Sequence, residues 1–273
     1  MPNIFEILKA VFLGIVEGIT EWLPISSTGH MILVNEFIGE TGSFFTSDLF
    51  LYGIQLGAIL AIVTLYFRKL NPFAPSKSRE EKRDTWQMWF KVVVACLPAA
   101  IIGLLLNDFM DKFENWQVIS ATLILYGVGF LLIEGFNKKR GAVVTSMNAM
   151  TYKTALIIGA FQVLSIVPGT SRSGATILGA MLIGCSREIA AEFSFFLAIP
   201  VMVGVSFLKL VTFDGTITAG NWIILAIAMA VAYAVSVIAV KFLTGFVKRH
   251  DFKVFGWYRI VLGIAVIAYF LIF

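Results

Sequence analysis

The sequence predicts an all-α polytopic membrane protein, and two overall properties lead to that prediction. Of its 273 residues, 59% are hydrophobic and only 14% are charged, whereas about 25% of the residues of a soluble domain are charged. The mean hydropathy is +0.88. These values exclude a soluble enzyme, a coiled coil, a disordered chain and a nucleic-acid-binding protein. The formal net charge of +4 is explained by an excess of Lys and Arg on the cytoplasmic side of the membrane.

Six apolar segments reach the length of about 20 residues that a spanning helix needs. They are residues 49–67, 88–107, 117–136, 188–210, 221–246 and 254–272. Clusters of Lys and Arg predict three cytoplasmic loops, and these clusters lie at residues 68–83, 138–140 and 248–253. The alternation of loops then places both termini of this multi-pass protein outside.

Two further apolar segments, residues 4–38 and 152–185, are interrupted in the middle. The interruptions are Pro24 to Gly29 and Pro168 to Gly174, and both are rich in Ser, Thr and Gly. The arm after each break has only about 10 to 14 residues, which is short for a span. We therefore predict two re-entrant hairpins of broken helices, which are tolerated only where protein or a wet cavity satisfies the backbone.

An internal repeat relates the two interrupted segments. Shifting the sequence by 145 residues aligns Gly14 with Gly159, Ser26 with Ser171 and Gly29 with Gly174. Three predicted spans belong to each half, and an odd number inverts the second half relative to the first. We predict a single transmembrane domain over residues 1–273, with inverted repeats at 1–136 and 152–273 whose breaks meet near the midplane.

Each break is followed by a new helix whose first N–H groups lack backbone partners. Ser and Thr caps, free N–H groups and the positive end of the helix dipole favour an anion. Two such termini predict a site for a phosphate or diphosphate; the alternative is two ordinary loop breaks between short helices. The candidate substrate-binding residues are Ser26, Thr28, Ser171, Ser173 and Thr176.

Charged and titratable residues beside the breaks favour the site over ordinary loops. Glu17 and Glu21 share one helix face, and a carboxylate at membrane depth costs about 2.5 to 3.5 kcal/mol. His30 lies in the arm that follows the first break. Arg172 lies at the second break, and its planar guanidinium can bind two phosphate oxygens at once. The structural alternatives are carboxylates that reach the interface, a packed histidine and an arginine paired with a carboxylate.

Two long motifs resemble the signatures of a known family. Residues 18–30 and 168–176, together with the span pattern and residues 192–195, closely resemble the undecaprenyl-diphosphate phosphatase family of the bacitracin-resistance type. The resemblance implies a multi-pass hydrolase of the bacterial inner membrane that converts undecaprenyl diphosphate to the monophosphate carrier of peptidoglycan synthesis, with an active site open to the outer face. It implies that Glu17 and Glu21 carry the acidic motif, Ser27 and His30 the hydroxyl and the imidazole, and Arg172 the phosphate-binding arginine.

Phosphoryl transfer can be assigned to these residues in two ways. In the first, Ser27 is the nucleophile and His30 its base; in the second, His30 is the nucleophile and Ser27 binds substrate. Glu17 and Glu21 are expected to hold a divalent cation, and the resemblance favours Mg²⁺ or Ca²⁺. A type 2 phosphatidic acid phosphatase mechanism is excluded, since it needs two catalytic histidines and His250 lacks the required setting.

A transporter or flippase of a polyprenyl phosphate lipid is the alternative function, because inverted repeats with broken helices are typical of carriers. The Glu, Ser and His set lies in the first repeat only, which favours chemistry over transport. The expected partners are the polyprenyl diphosphate lipid and membrane lipids, and a homodimer stays open.

Overall fold

The computed structural model describes residues 2–38, 44–113 and 115–272. Within these ranges the secondary structure is helical, apart from an isolated bridge between Val144 and Cys185. The α-helices are α1 (Ile4–Thr20), α2 (Ser27–Ile38), α3 (Asp48–Leu65), α4 (Phe67–Leu70), α5 (Arg79–Met110), α6 (Trp116–Arg140), α7 (Tyr152–Val163), α8 (Arg172–Leu182), α9 (Arg187–Val211), α10 (Ala219–Val247) and α11 (Lys253–Ile272).

Six of these helices are long and apolar enough to cross a membrane, namely α3, α5, α6, α9, α10 and α11. They confirm the all-α polytopic class and the six predicted spans. α5 begins at Arg79, nine residues before the predicted second span at 88–107, which lies inside this helix. Ser78 caps the start of α5, because its N–H donates to Glu81 Oε2 at 2.7 Å and its hydroxyl accepts from the Glu81 N–H at 3.2 Å. Part of the first basic cluster is therefore helical.

The two interrupted segments form short helices on either side of each break. Between α1 and α2 the chain leaves the helix over residues 21–26, and α2 has 12 residues. Between α7 and α8 it passes through a 3₁₀ turn at Leu164–Ile166, and α8 has 11 residues. The short arms agree in length with the predicted half-helices. The re-entrant path through the bilayer and the inverted repeats at 1–136 and 152–273 stay predictions.

Each interrupted segment packs closely against a long helix, α1 against α10 and α7 against α5. Glycine permits this approach. A Cβ atom added at Gly18 would lie 2.8 Å from the Ala232 carbonyl oxygen, and one added at Gly159 would lie 2.1 Å from the Ala95 carbonyl oxygen. Small residues at such contacts are how membrane helices gain van der Waals packing. The backbone leading into each break is therefore held against a spanning helix.

A methyl group at Gly159 tests this packing. We expect Gly159→Ala to destabilise the protein by about 1 to 3 kcal/mol, as overpacking of a tight contact does, and to lower the midpoint of thermal unfolding in detergent. Gly245→Ala is the matched control, because a Cβ there has no atom within 4 Å. Equal midpoints for the two variants would contradict a backbone contact at Gly159.

Candidate active site

The first break is shaped by Ser26. Its φ of 77° lies in the left-handed region, which non-glycine residues adopt uncommonly. The Ser26 hydroxyl accepts a hydrogen bond from the Gly29 N–H at 3.3 Å, and its carbonyl accepts one from the His30 N–H at 3.2 Å. Ser26 is buried, so it ends the break and starts α2 with Ser27 as the first helical residue.

The carboxylate of Glu21 joins the two breaks. Its Oε2 accepts a hydrogen bond from the Ser27 hydroxyl at 2.6 Å, and its Oε1 lies 2.9 Å from Nη2 of Arg172. The Glu21 and Arg172 side chains are 7% and 12% exposed. Arg172 also donates through Nη1 to the Ser194 carbonyl of α9 at 2.8 Å. A carboxylate and a hydroxyl from the first break, a guanidinium from the second break and a carbonyl of α9 therefore form one buried cluster, which brings Glu21, Ser27 and Arg172 together.

The imidazole of His30 is bound by other groups than expected. Its Nδ1 lies 2.6 Å from the Ser26 carbonyl oxygen, and its Nε2 lies 2.7 Å from the Tyr258 hydroxyl. Ser27 donates to Glu21 rather than to His30, so the expected contact between Ser27 and His30 is not made in this structure. The positive φ of Ser26 explains the difference, because it places the carbonyl at the imidazole.

Glu17 lies deeper than Glu21 and is 1% exposed. Among the described residues its Oε1 has no hydrogen-bond partner, and a buried carboxylate oxygen without a partner is costly. Such an oxygen fits a cation ligand. The described part of the chain contains no group of three His, Cys, Asp or Glu residues that could hold a metal. Substrate oxygens would have to complete the coordination, as is usual for Mg²⁺.

The serine hydroxyls of the second break form hydrogen bonds with other groups of the protein. Ser171 caps α8 by accepting from the Gly174 N–H at 3.0 Å. Ser173 lies 3.0 Å from the Ser171 hydroxyl and within 3.3 Å of the carbonyl oxygens of Glu21 and Leu23. Both serines are buried. They fix the second break to the first, and their predicted contact with substrate stays a prediction.

Two further predicted substrate ligands, Thr176 and Thr28, differ from this pattern. Thr176 is fully buried, donates to the Arg172 carbonyl at 2.9 Å and lies 2.8 Å from the Ser194 hydroxyl. Its hydroxyl supports the segment that carries Arg172, which argues against direct contact with substrate. The side chain of Thr28 lies outside the described part of the structure.

Sequence reasoning missed Arg259, which connects the two breaks from α11. Its side chain is fully buried. Nη1 donates to the Pro24 carbonyl at 3.0 Å, and Nη2 donates to the Gly169 carbonyl at 3.2 Å. The guanidinium also lies 5.3 Å from the ring centroid of Tyr126. The signal was present in the sequence, because a charged residue inside an apolar span is by default a functional candidate.

The fold and the site define a polytopic α-helical membrane protein with a buried carboxylate, hydroxyl and guanidinium cluster between two helix breaks. Residues 10–265 match the family described as "Bacitracin resistance protein BacA", and the chain belongs to this family. A relative from Enterococcus faecalis is 57% identical over 96% of this chain and 97% of its own. A relative from Lactiplantibacillus plantarum is 55% identical over 97% and 98%. Both relatives carry the name undecaprenyl-diphosphatase.

Removing the guanidinium of Arg259 tests its role in bridging the two breaks. In Arg259→Met the Pro24 and Gly169 carbonyls lose a buried donor, and each orphaned group costs about 1 to 3 kcal/mol. We expect a clear fall in the midpoint of thermal unfolding in detergent. Arg83→Met, on the exposed start of α5 where the arginine side chain is 68% exposed, should leave the midpoint unchanged. An Arg259→Met protein as stable as the control would show that the breaks do not depend on this bridge.

Proposed function

We propose that the protein is an undecaprenyl-diphosphate phosphatase, which hydrolyses undecaprenyl diphosphate to undecaprenyl phosphate and inorganic phosphate. This reaction recycles the lipid carrier of cell-wall synthesis. The observation that carries the proposal is the 2.6 Å hydrogen bond from the Ser27 hydroxyl to Glu21, beside the guanidinium of Arg172. The names of the full-length relatives agree with it. We place the protein in the bacterial inner membrane, with the site open to the outer face.

The contact with Glu21 gives Ser27 a base. In the first step the Ser27 Oγ attacks the terminal phosphorus, its proton passes to Glu21 Oε2, and the bond from phosphorus to the bridging oxygen breaks. Undecaprenyl phosphate leaves with the electron pair of that bond. Ser27 is the first residue of α2, and the positive end of the helix favours the phosphoryl group there.

In the second step water attacks the phosphorus of the phosphoserine and the bond from phosphorus to Ser27 Oγ breaks; Oγ takes back the proton held by Glu21, and inorganic phosphate leaves. His30 suits this step. The Ser26 carbonyl can only accept, so the proton of a neutral imidazole is on Nδ1 and Nε2 has the lone pair. Nε2 is then the atom that takes a proton from water. The structure favours Ser27 as the nucleophile, because its base is already in contact.

Arg172 is placed to bind the transferred phosphoryl group. A guanidinium has five N–H donors, and the contacts with Ser194 and Glu21 use Nη1 and one N–H of Nη2. The Nε–H and the second Nη2–H point to a role with phosphoryl oxygens, where fixed positive charge stabilises the transition state. Its contact with Ser194 holds the guanidinium in place before substrate arrives.

A divalent cation, Mg²⁺ or Ca²⁺, is part of the proposal. Glu17 and Glu21 are the predicted ligands, but both oxygens of Glu21 already accept hydrogen bonds. Glu17 therefore carries the larger share, through the Oε1 that has no partner among the described residues. When bound, the cation would neutralise charge on the diphosphate. Glu17 would hold it, and Glu21 would keep its contact with Ser27.

Two alanine variants separate the two steps. Ser27→Ala removes the attacking oxygen and should abolish phosphate release and any phosphoenzyme. His30→Ala should slow release by about 10² to 10⁴-fold, the usual effect of a missing acid or base, while phosphoserine accumulates. Radiolabelled diphosphate substrate, rapid quench and the acid stability of the protein-bound phosphate check both outcomes.

Two outcomes of the same experiment would contradict the proposed mechanism or the enzyme itself. Acid-labile label on His30 would reverse the assignment of the nucleophile and leave the phosphatase in place. If neither substitution lowered phosphate release, while both impaired movement of a lipid across vesicle membranes, the carrier alternative would replace the enzyme.

Chelation tests the cation. Excess EDTA should abolish hydrolysis by the wild type, and Mg²⁺ or Ca²⁺ should restore it, because the diphosphate needs charge neutralisation. Glu17→Gln should require a higher metal concentration for half-maximal activity. Glu80→Gln, at a carboxylate that is 78% exposed, is the control and should behave as the wild type. Full activity in excess chelator would remove the cation from the proposal.

A further inference from the structure

Tyr258 of α11 is the partner of His30 from the other end of the chain, 228 positions away. Its hydroxyl lies 2.7 Å from Nε2, and the two rings are nearly parallel, 5.7 Å apart at an angle of 6°. The opposite nitrogen, Nδ1, contacts the Ser26 carbonyl. The imidazole is therefore held at both nitrogens.

The two contacts also determine which atoms of the neutral imidazole bear hydrogen. A carbonyl oxygen can only accept, so Nδ1 donates to Ser26 and Nε2 is left with its lone pair. The Tyr258 hydroxyl then donates to Nε2. The partner on one nitrogen of a histidine sets the role of the other, and here both partners agree on the same tautomer.

The position of Tyr258 in α11 is fixed by its neighbour. Arg259 is fully buried and bonded to both breaks, whereas the Tyr258 side chain is 44% exposed. The helix backbone at this point is thus anchored to the site, while the phenol has room to leave Nε2. These two properties suit a contact that orients the imidazole and is released when substrate and water enter.

We propose that Tyr258 is the positioning residue of His30: it fixes the orientation and the tautomer of the imidazole, and it frees Nε2 during turnover. This proposal rests on the proposed phosphatase function. Tyr258 does not touch the reacting phosphoryl group in this scheme and acts only through His30.

Tyr258→Phe tests the proposal, since it keeps the aromatic ring and removes the hydroxyl. Diethyl pyrocarbonate acylates the unprotonated nitrogen of an imidazole, and the chain has only two histidines, so exposed His250 is an internal reference. Measured by mass spectrometry at fixed pH, the ratio of the His30 rate to the His250 rate should rise about tenfold, as loss of one hydrogen bond predicts. The matched control is Tyr152→Phe, at a tyrosine that is 47% exposed, and it should keep the wild-type ratio.

Kinetics give a second readout on the same proteins. We expect kcat of Tyr258→Phe to fall about tenfold with KM nearly unchanged, and the limb of the pH–rate profile that disappears in His30→Ala to move. An unchanged labelling ratio with unchanged kcat would overturn the proposal. A lower kcat with an unchanged ratio and a lower unfolding midpoint would also overturn it, since Tyr258 would then be only structural. Absence of phosphate release from the wild type overturns the phosphatase instead, because the labelling ratio does not depend on turnover.

Discussion

The carboxylate of Glu21 is the interaction on which the rest of the site depends. Burying a carboxylate without partners is costly, and Glu21, which is buried, offsets this cost by accepting hydrogen bonds from Ser27 and from Arg172. Ser27 is the first residue of α2 and Arg172 the first of α8. One carboxylate therefore fixes the starts of two short helices relative to each other. Removing one partner of a buried ion pair leaves an uncompensated charge, which is costly. Separation of the two helix starts is therefore unfavourable.

The broken backbone imposes the second constraint. Carbonyl groups released from a helix and buried inside the protein need donors, because a buried polar group without a partner is costly. Arg259 serves Pro24 and Gly169, and Ser173 lies against the carbonyls of Glu21 and Leu23. Polar residues that a sequence places at a phosphate site are thus partly needed for the fold itself. Hydroxyls at the breaks either satisfy the backbone or take part in chemistry, and only those beside Glu21 are available for chemistry.

Sequence reasoning predicted the spans and the breaks because both follow from local composition, namely long apolar runs interrupted by Pro, Gly and Ser. It also brought Glu21, Ser27 and Arg172 to one site, since charge at membrane depth has few explanations. The partner of His30 was not predictable in this way. It depends on a backbone angle at Ser26 and on a tyrosine 228 positions away, and neither leaves a pattern in the residues around the histidine.

Ser27 is hydrogen-bonded to Glu21 and His30 to Tyr258, and these separate contacts suggest that different residues serve the two chemical steps. In the proposed mechanism Ser27 has a base, Glu21, within its own interrupted segment, so His30 is not needed to activate the nucleophile. Its lone pair at Nε2 is instead kept at the half-exposed edge of the site, against Tyr258. Water reaches an exposed edge more easily than a buried carboxylate, and hydrolysis of the phosphoserine needs water. The buried base therefore suits the step that must exclude water, and the imidazole beside the exposed Tyr258 suits the step that consumes it.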